Sequence, residues 1–86
     1  MNLKSVTYFL AACTEGSFTE AAKLCDVSQP TLSMALRRLE RELGVLLFEQ
    51  QAPARLTHEG RQLRPFFEDL SVCADKLIAK ANRLRR

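Results

Sequence analysis

The segment from Ser28 to Gly44 constrains the fold of this chain more than any other. Leu32, Leu36, Leu39 and Leu43 recur at steps of four, three and four, which sets them within about 60° of one another on a helix advancing about 100° per residue. Ser28 stands where an N-cap hydroxyl accepts from a first-turn amide, Pro30 lies where a missing amide costs nothing, and Gly44 stands where a left-handed cap ends a helix. A helix over about 29–43 follows, with its leucines inward. The opposite arc carries Gln29, Pro30, Ser33, Met34, Arg37 and Arg41, a largely polar and basic surface.

Upstream, Leu3, Val6, Leu10 and Cys13 share a helix face that Gly16 terminates, predicting a helix over about 2–15. Ser17-Phe18-Thr19-Glu20 has the form of a capping box and opens a short helix that buries Phe18, Ala21, Ala22 and Cys25. That helix ends near Cys25-Asp26, where Asp26 and β-branched Val27 favour a turn. Downstream, Leu46–Gln50 and Ala54–Thr57 flank Gln51-Ala52-Pro53 and read as a short two-stranded wing that must lean on the helices. Thr57 is an N-cap for a long final helix, with Glu59 in its first turn. Gly60 and Pro65 weaken its opening, and a bend is expected near 61–65.

Along that last helix Leu63, Leu70, Leu77 and Leu84 are spaced by seven, with Phe66, Phe67, Cys73, Ala74 and Ala81 beside them. An 86-residue chain has a small core, since a domain of this size buries only about 60% of its unfolded surface. A leucine stripe projecting past such a core calls for a partner helix, and a second copy is the simplest one. Leu63, Phe67, Leu70, Cys73, Ala74, Leu77 and Leu84 are therefore the candidate dimer residues.

Charge sharpens the reading only through its placement. Residues 1–74 carry eight Lys/Arg against nine Asp/Glu, whereas 75–86 carry five against one, so the formal charge of +3 belongs to the C-terminal end. Cys13, Cys25 and Cys73 are odd in number and form no C-x-x-C pair, which argues against a disulfide framework or zinc site and suits a reducing cytoplasm. His58 has no ligand partner at metal spacing. No nucleophile–base pair or Gly-rich phosphate loop is present, so neither catalysis nor a cofactor is expected. No apolar run approaches the roughly 20 residues that span a bilayer, and the opening MNLKSVTYFLAACTEG reads as neither signal peptide nor anchor.

Helix, tight turn and a second helix with a polar-basic face form the geometry of a helix-turn-helix. Such a helix enters the major groove N-terminus first. Gln29 can pair with adenine, Pro30 can touch a thymine methyl, Ser33 can donate or accept, and Arg37 and Arg41 stand further along for phosphate. A small helical bundle with a merely solvated polar face has the same periodicity.

Tyr8-Phe9, Gly16-Ser17-Phe18-Thr19, Ala21-Ala22, Leu24, the run Val27-Ser28-Gln29-Pro30-Thr31-Leu32-Ser33, Leu39-Glu40, Leu43-Gly44, Leu47-Phe48-Glu49, Leu56-Thr57 and Gly60 go beyond periodicity. Over about residues 1–60 this pattern resembles the N-terminal domain of LysR-type transcriptional regulators. The resemblance implies a mainly α fold: a winged helix-turn-helix of three helices plus a short two-stranded wing, then a long C-terminal dimerisation helix pairing antiparallel with its twin. The implied division is a DNA-binding domain over 1–57 and a linker helix over 58–86. Gln29, Pro30 and Ser33 match groove-reading positions, and Ser17 and Thr19 match phosphate positions, joined here by Thr31, Arg37 and Arg41.

Two departures stand out. Met34-Ala35 replaces the family's usual Arg-Gln, so Met34 offers a thymine-methyl contact without charge. The wing is short and holds a single cation, Arg55, as its candidate minor-groove or phosphate contact. Both imply DNA binding weaker or more salt-sensitive than usual for the family. The implied partners are double-stranded DNA, a second copy of the chain and, in a full-length protein, RNA polymerase. The family's effector-binding domain has no counterpart in these residues. A protein-interaction module with a degenerate helix-turn-helix is the alternative.

Overall fold

A computed structural model describes residues 1–51 and 54–85. Its helices are α1 (Leu3–Glu15), α2 (Phe18–Leu24), α3 (Gln29–Leu43) and α4 (His58–Leu84). Both α3 and α4 occupy the spans their caps predict. Ser28 Oγ accepts from the Thr31 amide at 3.2 Å, and Thr57 Oγ1 accepts from the Gly60 amide at 2.9 Å. Gly16 and Gly44 close α1 and α3 in the left-handed conformation, at φ 64° and 76°.

Capping differs from expectation at α1 and α2. The reciprocal box is at α1, where Ser5 N donates to Asn2 Oδ1 at 2.9 Å and Asn2 N donates to Ser5 Oγ at 3.2 Å. At α2, Ser17 Oγ accepts from the Glu20 amide at 3.2 Å, but the Glu20 carboxylate faces Lys23 Nζ at 3.4 Å. The turn after α2 is a Schellman motif: Val27 N donates to Ala22 O at 3.0 Å and Asp26 N to Lys23 O at 3.1 Å. Asp26 occupies the left-handed position at φ 58°, which an L side chain adopts at a cost.

The core is built around Phe9. Its ring stacks on Phe67 of α4 at 4.2 Å between centroids and tilts against Phe48 at 5.4 Å, while Phe18 meets Phe48 edge-on at 5.2 Å. Leu32, Leu36, Leu39 and Leu47 are fully buried around this cluster. Leu43, expected inward, is 39% exposed because α3 outruns the core. On α1 the buried face is Val6, Phe9 and Ala12 with Ser5 and Tyr8, whereas Leu3 is exposed and Leu10 and Cys13 are half-buried. Phe18 and Cys25 are half-buried beside fully covered Ala21 and Ala22.

Between α3 and α4 no strand forms among the described residues, and the expected two-stranded wing is seen there only as a bridge. That bridge is antiparallel, Phe48 to Leu56, with Glu49 N donating to Arg55 O at 2.8 Å. The Leu47 and Phe48 amides are taken by Glu40 Oε2 at 2.7 and 3.2 Å, which draws the segment onto α3. Thr57 ties the far side, with its amide donating to Leu47 O at 3.0 Å and its hydroxyl to Leu46 O at 2.6 Å. The expected wing tip at Ala52 and Pro53 lies outside the described residues, as does Arg86.

Helix α4 is one continuous 27-residue helix with Pro65 inside it. Leu63 and Phe67, expected on a dimer stripe, belong to the chain's own core, with Phe67 only 3% exposed. Beyond them α4 projects as an arm, giving the chain a long axis of 50 Å against 26 and 20 Å across.

Two substitutions probe these joints. A Cβ on Gly60 would collide with the Leu47 carbonyl oxygen and press on Leu56, so Gly60→Ala should lower stability by about 1–3 kcal/mol in urea denaturation despite alanine's better helix propensity. Asp26→Gly relieves the left-handed aspartate and should raise stability by about 0.5–1 kcal/mol in the same assay.

Candidate nucleic-acid interface

The outward face of α3 is assembled from its first two turns. Gln29, Pro30, Thr31 and Met34 are exposed, and Met34 is open to 67% of its surface. An apolar side chain this open is costly to leave in water, and a methyl or another apolar surface suits it. Arg37 and Arg41 follow on the same helix, both exposed. They stand in the wall of a shallow cleft between α3 and the 45–50 turn that also contains Gln50. Glu40 and Glu49 share that wall, so its field is mixed rather than uniformly positive.

Ser33 differs from its neighbours. It is 8% exposed, and its Oγ accepts from Gln29 Nε2 at 2.5 Å. Two further hydroxyls of this surface are also engaged. Thr31 Oγ1 lies 2.8 Å from Ser28 Oγ, and Ser17 Oγ accepts the α2 cap bond while retaining its own proton to donate.

A second cleft joins residues far apart in the chain. Gly16, Ser17, Phe18 and Thr19 at the start of α2, Gln29 at the start of α3, and Ala54 and Arg55 after the turn line one depression. Arg55 is exposed. Hydroxyls, a carboxamide and a guanidinium converging on one hollow suit an anionic oxygen next to a polar edge.

Across α3 from this hollow, Lys4 of α1 lines a third depression with Thr31, Met34, Arg37, Arg38 and Arg41. Lys4 and Arg38 were not predicted as site residues. Lys4 carries no local signal, because α1 is brought alongside α3 only by tertiary packing, whereas Arg38 lies four residues after Met34 on the same face of α3 and helical spacing could have marked it. Arg38 also faces Glu42 at 3.7 Å, and Glu42 meets the N-terminal amine. That amine holds the Glu42 carboxyl below its usual range.

The thiols lie apart from this surface. Burial pushes the Cys13 thiol up, opposed by the nearby Arg64 guanidinium, and burial also raises that of Cys25. Cys73 is exposed on the α4 arm. Among the described residues no group of three His, Cys, Asp or Glu is placed to hold a metal ion, and no helix is long and apolar enough to cross a membrane.

On α4 the exposed apolar residues are Phe66, Val72, Leu77, Ile78 and Leu84, with Leu70 at the edge of cover; Ala74 is half-buried. Phe66, Leu70, Cys73, Leu77 and Leu84 line one side of the helix, centred about 70° from the Leu63 and Phe67 side that packs inward.

Comparison with known proteins gives this geometry its setting. Residues 3–61 match the model of the bacterial regulatory helix-turn-helix proteins of the lysR family. The HTH-type transcriptional regulator YtlI of Bacillus subtilis is 44% identical over 61 residues, covering 71% of this chain and 20% of that protein. The HTH-type transcriptional regulator BenM of Acinetobacter baylyi is 37% identical over 86 residues, covering 98% of this chain and 28% of BenM. The chain thus spans less than a third of the length of either relative. Among solved structures, the crystal structure of the BenM_DBD/catB site 1 DNA complex superposes with a TM-score of 0.90 at 34% identity, covering 98% of this chain and 94% of that one.

Proposed function

Because the chain belongs to the LysR family of bacterial regulatory helix-turn-helix proteins, we propose that it is a sequence-specific reader of double-stranded DNA that regulates transcription. The observation that carries this reading is the shared exposure of Gln29, Pro30 and Met34 on α3, with Ser17, Thr19 and Arg55 converging beside them. A recognition helix meets base edges with its first turns and phosphates with what surrounds them. In this reading Gln29, Pro30 and Met34 face the major groove. Pro30 and Met34 offer apolar surface to thymine methyl groups, and Gln29 offers a donor and an acceptor.

Phosphates on either side are met by Ser17 and Thr19, by Thr31, and by Arg37 and Arg41, with Lys4 and Arg38 as additional cations. Arg55 reaches a phosphate or the adjoining minor groove. Met34 in place of a cation, and Glu40 and Glu49 near the arginines, lower the net positive field that this face offers to phosphates. The chain acts by binding rather than catalysis, in the cytoplasm, with residues 1–57 reading DNA and 58–86 linking two copies.

The second copy pairs through α4. Phe66, Leu70, Cys73, Leu77 and Leu84 form the exposed stripe that supports this pairing, while Leu63 and Phe67 hold the arm to its own domain. An antiparallel pair sets the basic 76–85 end of one arm against the partner's 59–69 stretch, where Glu59, Glu68 and Asp69 outnumber Arg61 and Arg64 by one charge. Two recognition helices held this way favour an interrupted inverted repeat, with half-sites about one helical turn or a multiple of it apart. In a full-length protein, RNA polymerase is the further partner this reading includes.

Gln29→Ala should weaken binding to a selected operator by about 1–3 kcal/mol and leave scrambled DNA nearly unaffected. Fluorescence anisotropy on both duplexes checks this, and equal losses on the two would exclude Gln29 as a base reader. Leu77→Asp changes a residue exposed to 68%, so it should give a folded monomer in sedimentation equilibrium where the parent chain is a dimer. Phe67→Asp should instead unfold the domain, because it puts a charge beside Phe9. A persistent Leu77→Asp dimer would place the interface elsewhere.

A further inference from the structure

We propose that Ser33 is a positioning residue for Gln29: its buried hydroxyl holds the Gln29 carboxamide in the orientation that reads adenine and does not itself touch DNA. This rests on the reading of α3 as the base-reading helix and adds to it which base that helix selects.

Ser33 lies four residues after Gln29 on α3, so the two side chains are neighbours on one face. Their exposures differ sharply. Ser33 is 8% exposed, whereas Gln29 is open. Gln29 Nε2 donates to Ser33 Oγ at 2.5 Å. A buried hydroxyl of this kind cannot reach past an exposed carboxamide to a base edge without giving up its cover.

A free carboxamide has two N–H donors and an acceptor oxygen, and it can rotate to present either end. Commitment of one N–H to Ser33 Oγ removes that freedom. What remains is a single N–H beside the Oε1 acceptor. Adenine is the purine whose major-groove edge is complementary to that pair, with N7 as acceptor and the N6 amino group as donor. Guanine offers acceptors at both N7 and O6, so Oε1 would confront an acceptor there. Thymine presents an acceptor and a methyl, and cytosine a donor alone. Without the hydroxyl, the amide can turn both hydrogens toward guanine, and discrimination falls more than affinity does.

The test uses the 86-residue chain, a site selected from a random duplex pool, and duplexes carrying each base pair in turn at every site position. The parent chain should prefer adenine at one half-site position by about ten- to a hundredfold. Ser33→Ala, which keeps a strong helix former on α3, should lower that preference about fivefold. It should leave the other positions and scrambled DNA unchanged. Gln29→Ala should abolish the preference, and the double variant should match Gln29→Ala, because Ser33 acts only through Gln29. Losses that add in the double variant, or that spread to other positions or to scrambled DNA, would show Ser33 touching DNA directly and overturn the proposal. A parent profile with no adenine position sensitive to Gln29→Ala would instead refute the base-reading role of Gln29, and Ser33's role with it.

Discussion

The stack of Phe9 on Phe67, with Phe48 tilted against Phe9, is the interaction on which the rest of this structure depends. The three rings come from α1, α4 and the turn between α3 and α4. Aromatic pairs at such distances contribute about 0.5–1.5 kcal/mol each beyond the area they bury. In a domain this small that is a substantial share of net stability. Their position matters as much as their energy. Phe48 also receives Phe18 of α2 edge-on, so one aromatic cluster sets the level of the turn, the seat of α2 and the departure of α4.

Polar bonds then fix what the rings leave loose. The Glu40 carboxylate gathers the Leu47 and Phe48 amides from the C-terminal half of α3. Thr57 and Gly60 bring the start of α4 against the same turn. The two bonds to Glu40 are charge-assisted and so stronger than the neutral ones made by Thr57. The turn is therefore held to the helix that carries Gln29 and Met34, and Arg55 shares a hollow with Gln29.

Helix α4 divides its apolar surface between two tasks. The side carrying Leu63 and Phe67 is spent on the chain's own core, and the adjacent side from Phe66 to Leu84 remains in solvent. A stripe of this length on a projecting arm leaves apolar area that a lone copy cannot cover. The same physics applies on a smaller scale at Met34, a large apolar side chain 67% exposed on the face of α3 proposed to meet DNA.

Much of this was legible in the residues themselves. The caps at Ser28 and Thr57, Gly16 and Gly44, and the leucine spacing of α3 are local rules, acting within a turn of helix and independent of what packs outside. They determine where α1 ends, where α3 begins and ends and where α4 begins, and the run from Val27 to Ser33 marks the family. Tertiary structure decided the rest. Periodicity weighs leucine above alanine or tyrosine, so it favoured Leu3 and Leu10 over Phe9 and Ala12 on α1. It could not tell the inward from the outward side of α4, since both are apolar, and so it grouped Phe67 with Leu77. Lys4 joins the candidate surface and Ser33 leaves its exposed part only when α1 and α2 are in place. Local hydrogen bonding selects helices residue by residue, but which face is covered depends on atoms far away in the chain.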